Sequence, residues 1–125
     1  MGKTCINDDA AKMDELIAGR KYDEISAFIE LLVCRMYDNS ELRAYNHYIV
    51  GNGYAVLADR LNSPWDEKTG LQVNFFKKAQ YEPGFSALDD DVKSRVYTNL
   101  ASALYGQGRY LEAVVEYDRA IATFN

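Results

Sequence analysis

Histidine is almost absent from this chain, with a single residue, His47, among 125. Proline and cysteine are nearly as scarce, at two each. One imidazole and two isolated thiols, Cys5 and Cys34, supply no His/Cys spacing of the kind that holds a metal, so no metal site is expected. The thiols read as reduced cytosolic cysteines, one near the start of the chain and one inside an apolar helical run. With two prolines and no Pro/Gly/Ser-rich linker there is nowhere to divide the chain, and one domain over 1–125 is expected. Basic residues are outnumbered 14 to 19, giving a formal net charge of −5. A phosphate-backbone surface needs clustered Lys and Arg, so nucleic acid is not expected as a direct partner. Residues 1–30 lack a basic start followed by an apolar run, and no apolar stretch is long enough to span a bilayer. The expected location is the cytoplasm, away from membranes. Gly51-Asn52-Gly53 is too short for a phosphate cradle and lies inside a helical pattern, so no cofactor is expected.

Helical periodicity fills the chain. Ile6, Ala10, Met13 and Ile17 recur on one face of a helix predicted to start near Asn7–Asp9 and to end at Gly19. Tyr22, Ile25, Phe28, Ile29, Leu32, Val33 and Met36 form a wide apolar stripe, predicted to pack on more than one neighbour. Asp38-Asn39-Ser40 is a turn with an N-cap for a third helix from about Glu41 to Leu61. In that helix Gly51 suits close approach by another helix. Gly53, which costs about 1 kcal/mol relative to Ala in a helix interior, marks approach by a neighbour or ligand. Ser63 with Pro64 behind it reads as the cap of a helix reaching Tyr81 from about Gly70, and Tyr81-Glu82-Pro83-Gly84-Phe85 reads as a turn. Ser86 and Asp89 have the spacing of a capping box, with Asp90 and Asp91 in the first turn that follows. Successive helical residues point about 100° apart, so these three aspartates read as a solvated helix start rather than a metal site.

From Val96 to Phe124 the pattern is sharper: VYTNLASALYGQGRYLEAVVEYDRAIATF. Tyr97, Leu100, Ala101 and Leu104 recur at helical spacing, Gly108 and Tyr110 interrupt, and Ala113, Tyr117 and Ala120 resume it. This stretch resembles a tetratricopeptide repeat (TPR), and His47, Val50, Gly51 and Tyr54 repeat the order of its first helix. Phe76 and Ala79 match the family's aromatic-x-x-Ala arrangement, and Tyr22-Asp23-Glu24-Ile25 its second-helix opening. His47 and Tyr97 lie about fifty residues apart rather than the family's roughly thirty-four. The implied fold is all-α, with antiparallel helix pairs stacked as a short right-handed TPR-like solenoid. Its divisions are about 6–38 as a degenerate repeat or cap, 40–83 as an expanded repeat, and 86–125 as a well-matched repeat.

The resemblance implies a binding scaffold or adaptor without catalysis of its own, holding a protein or peptide on a concave face lined by the first helix of each pair. Carried over by register, that face comprises Tyr45, Tyr48 and Asn52 in one repeat and Arg95, Thr98, Ser102 and Tyr105 in the next. The strings YIVGNGY and YTNLASALYGQGRYLEAVVEYDRA also look like the N-terminal repeats of bacterial proteins in which TPRs precede a HEPN ribonuclease domain. This implies an alternative, the sensor or regulatory segment of a stress or phage-defence ribonuclease. Arg43 and His47 share a helical face, but the HEPN motif needs a longer spacing, and they are not assigned to it. A third reading is an enzyme with a small-molecule cleft around His47, Tyr48 and Asn52. Terminal repeats of a solenoid need a polar cap, and the last helix here has an apolar face at Leu111, Val115, Ile121 and Phe124. Continuation into further repeats after Asn125, or a homodimer through that face, is expected to cover it.

Overall fold

A computed structural model describes residues 3–61 and 67–124. They form six α-helices: α1 Lys3–Ala18, α2 Tyr22–Val33, α3 Ser40–Leu61, α4 Glu67–Tyr81, α5 Asp90–Gly106 and α6 Tyr110–Thr123, with a 3-10 helix Pro83–Ala87 before α5. The tightest pairs are α3 with α4 and α5 with α6. Helices α1 and α2 pack on each other and both on α3, and α4 joins the two tight pairs by packing on α5.

Central position explains the composition of α3. Neighbours on several sides bury or half-bury its residues from Leu42 to Ala58, leaving no polar face. Its two glycines serve different neighbours. A Cβ on Gly51 would lie 2.6 Å from the Phe76 ring, so α4 can bury Phe76 completely only against a bare backbone. A Cβ on Gly53 would lie 2.8 Å from Ile29 Cδ1 and 3.0 Å from Met13 Cε, which makes α2 and α1 the neighbours that approach there. The buried apolar residues form one cluster from Ile6 to Ala113. Asn46 is buried among them and donates to the Leu32 carbonyl at 3.0 Å, adding a second donor to an acceptor that the Arg35 amide also uses at the end of α2.

Several boundaries differ from the sequence reading. Helix α1 begins at Lys3, earlier than Asn7, so Cys5 is helical and half-buried. It ends at Ala18, and the left-handed residue that closes it is Arg20, at φ 53°, not Gly19. Helix α2 stops at Val33, because the Cys34 and Arg35 amides turn back to Leu31 and Leu32. Met36 therefore falls beyond the helix and is 90% exposed, and Cys34 is exposed at the cap. The N-cap of α3 is Asn39, whose Oδ1 accepts from the Leu42 amide at 3.1 Å. Helix α4 begins at Glu67, ahead of Gly70, while the Ser63–Pro64 cap lies outside the described residues.

The Ser86/Asp89 capping box does not form. Residues 83–87 wind into the 3-10 helix, where Ser86 Oγ donates to the Pro83 carbonyl and Asp89 caps α5 without a side-chain bond. That short helix is tied to the start of α3. Ser40 Oγ donates to Glu82 at 2.8 Å and accepts from the Gly84 amide at 2.7 Å, and Arg43 Nε donates to Glu82 at 3.0 Å. The Arg43 bond, followed by the Ser40 bond, holds the Glu82 carboxyl below its ordinary range against an opposing desolvation.

Candidate functional site

Between α1, α3 and α5 lies a cavity of about 360 Å³. Tyr48 and Asn52 of α3, four residues apart, share a face toward it, as do Arg95, Asn99 and Ser102 at i, i+4 and i+7 of α5. Asp14 and Ile17 supply the α1 wall, and Gln72 of α4 reaches in from behind. A smaller recess of about 60 Å³ adjoins it, lined by Tyr45 beside Tyr48, Asp14 and Arg95. Tyr45 meets Tyr48 edge to face, with ring centroids 5.9 Å apart.

A side-chain hydrogen bond joins α3 to α5. Asn99 Nδ2 donates to Asn52 Oδ1 at 3.2 Å. The neighbouring Tyr48 phenol raises the Arg95 guanidinium pKa further above its ordinary value, with Asp91 and Asp14 adding to the effect. Burial pushes the Tyr45 phenol up, with Tyr48 and Asp14 contributing and Arg95 opposing. Charges of both signs and an amide pair therefore share one concave surface. The Asn52–Asn99 bond uses one donor and one acceptor, leaving the Asn52 NH2 and the Asn99 carbonyl to pair with another amide.

Tyr45, Tyr48, Asn52, Arg95 and Ser102 are thus brought together, whereas Thr98 and Tyr105 are not among the lining residues. Thr98 is exposed, and Tyr105 stacks edge-on against Tyr110 at 5.0 Å. Register transfer placed Thr98 in the groove, but the inward row of α5 runs 95, 99, 102. The four-residue step from Arg95 was the signal for Asn99. Asp14 had none, because α1 carries no repeat signature that would place it beside α5.

His47 lies apart from Tyr48 and Asn52. It faces α4, its ring centroid 5.9 Å from that of Phe75, and it lines neither cavity. Burial, then the nearby Lys78 charge, hold its imidazole below the ordinary value. The described residues contain no group of three or more His, Cys, Asp or Glu able to hold a metal ion. Among them no helix is long and apolar enough to cross a membrane. No protein-family model, curated protein or solved structure matches the chain.

Proposed function

We propose that the chain is a TPR-like binding module, its three helix pairs stacked as a short right-handed solenoid, that holds an extended segment of a partner protein between α1, α3 and α5. It acts in the bacterial cytoplasm as an adaptor rather than a catalyst. The observation that carries this reading is the origin of the cavity walls. The first helix of every pair contributes, as the concave face of a repeat array requires, and the α3–α5 seam presents an amide pair suited to a peptide backbone. Tyr48 adds a buried ring already packed edge to face against Tyr45, so little side-chain entropy is lost on binding. The net charge of −5 favours a protein segment over a nucleic acid.

The test is capture of peptides from an amidated random octapeptide pool by the immobilised 125-residue chain, beside Asn52→Leu and Arg95→Glu variants. Both positions are at least partly exposed, so the variants retain the fold, checked by circular dichroism. Peptides enriched by the parent should bind each variant about tenfold or more weakly, the scale of one charge-assisted or paired amide interaction. No enrichment, or equal retention by the variants, refutes the reading.

A further inference from the structure

Helix α6 carries an uncovered seam. Tyr110, Val114, Tyr117, Ile121 and Phe124 follow one another at steps of four, three, four and three, the spacing that keeps an apolar row facing a partner helix. They are 57%, 54%, 37%, 62% and 60% exposed, respectively. The face turned to the core is different, with Ala113 and Glu116 buried there. Two contacts fix the aromatic members. Tyr110 stacks on Tyr105, and the Tyr117 hydroxyl lies 3.2 Å from Ser102 Oγ. The apolar set read from sequence divides accordingly. Ile121 and Phe124 belong to the seam and Leu111 borders it. Val115, one turn beyond Leu111, is turned further from the seam and lines the cleft between α4 and α6 with Lys77 and Glu116.

We propose that this seam docks antiparallel on the same seam of a second copy of the chain, about a two-fold axis at Tyr117. By class its order is aromatic, aliphatic, aromatic, aliphatic, aromatic, and it reads the same in both directions. A two-fold interface must be complementary to itself, and reversal about Tyr117 achieves that. Tyr110 then lies level with the partner's Phe124 and Tyr117 with the partner's Tyr117, while Val114 and the partner's Ile121, three and four residues from the axis, meet about 1.5 Å out of level. The rows bordering the seam hold Ala113 and Ala120 on one side and Leu111 and Asp118 on the other. Ala113 is already covered by the core, so Ala120 is the small residue that admits close helix approach, and a border with one charge offers little to a partner selected by charge. With Tyr105 and Leu111 at its margins the seam exposes on the order of 800 Å², the area each partner contributes to a standard interface. The inference is independent of the groove between α1, α3 and α5.

Sedimentation velocity on the 125-residue chain at about 100 μM, above the micromolar Kd that an interface of this size reaches, should show a dimer. Ile121→Asp should weaken it by about 100-fold or more, because the change enters a two-fold interface twice. Val115→Asp, in the cleft between α4 and α6, should leave it unchanged. Both sites are exposed, and unchanged circular dichroism and melting would show that the fold survives. For direction, in a Cys5→Ser, Cys34→Ser background, Tyr117→Cys should cross-link to dimer under diamide and Phe124→Cys should not. A monomer at this concentration, a dimer indifferent to Ile121→Asp, or cross-linking at position 124 matching that at 117 would each overturn the proposal.

Discussion

Between α1 and α2 the chain turns on Arg20 at φ 53°, and between α5 and α6 it turns on Gly108 at φ 79°. The two corners share their hydrogen bonding. The amide after the left-handed residue reaches back five positions, Lys21 to Leu16 at 3.0 Å and Arg109 to Leu104 at 2.9 Å. The next helices then start from nearly equal dihedrals, Lys21 at −85°, 69° and Arg109 at −89°, 66°, each followed by a tyrosine and, two residues later, a glutamate. Beyond the corners the pairs diverge. Helix α2 buries Ile25, Phe28, Ile29 and Leu32, whereas α6 gives the core only Ala113 and the buried Glu116, which Gln80 and Arg119 hold at 2.8 Å each. A local turn can be repeated residue for residue while the burial of the helix it launches depends on which helix arrives next. For α2 that helix is α3, and among the described residues no helix plays that part for the outer seam of α6.

The comparison breaks most directly at Gly53, where α3 covers the first pair. Gly53→Val would force Ile29 and Met13 aside and should destabilise the fold by about 2 kcal/mol, read from chemical denaturation. A next-largest difference is expected without mutation. Amides of α6 should exchange with solvent from openings about 1–2 kcal/mol less costly than those exposing α2, since fewer apolar contacts must be lost. Equal protection in the two helices would mean that burial does not separate them.

The corners themselves should respond in opposite directions. Gly108→Ala places a Cβ in left-handed backbone and should cost about 1 kcal/mol, while Arg20→Gly relieves one and should gain about 0.5 kcal/mol. Thermal melts of the two variants measure both signs. The smallest effect lies between the pairs, at His47. Its folded-state pKa is depressed, so the unfolded chain takes up the proton first, and stability should fall as pH drops below about 6.5 toward the lowered folded value. His47→Phe keeps an aromatic ring against Phe75 and should flatten that part of the stability–pH curve.

Much of the helical order was legible because apolar spacing, the Asn39 turn, and the Gly108 corner act over a few residues each. The capping box at Ser86 and Asp89 was misread for the complementary reason. Its local spacing was right, but Ser40, forty-four positions from Gly84, recruits the segment into a 3-10 helix instead. Tyr45, Tyr48, Asn52, Arg95 and Ser102 are placed toward one surface by the resemblance to the repeat family. Asn99 was hidden by a register transfer that chose Thr98, and Asp14 by the absence of any repeat signature in α1. Residues 47 and 48 are neighbours in the chain but about 100° apart around a helix, so His47 faces α4 and Tyr48 the groove.

By itself the sequence determined the all-α class, most of the helix limits within a few residues, and a small residue at Gly51 where a helix comes close. These follow from side-chain periodicity, capping chemistry and the volume of a Cβ, all of which operate at short range. Tertiary structure alone decided that Gly53 accommodates Ile29 and Met13, that Asp14 joins Arg95 at one cavity, and that Val115 and Ile121 of one helix belong to different surfaces. Those outcomes depend on where distant helices come to rest, and no spacing within a single helix records the position of its neighbours.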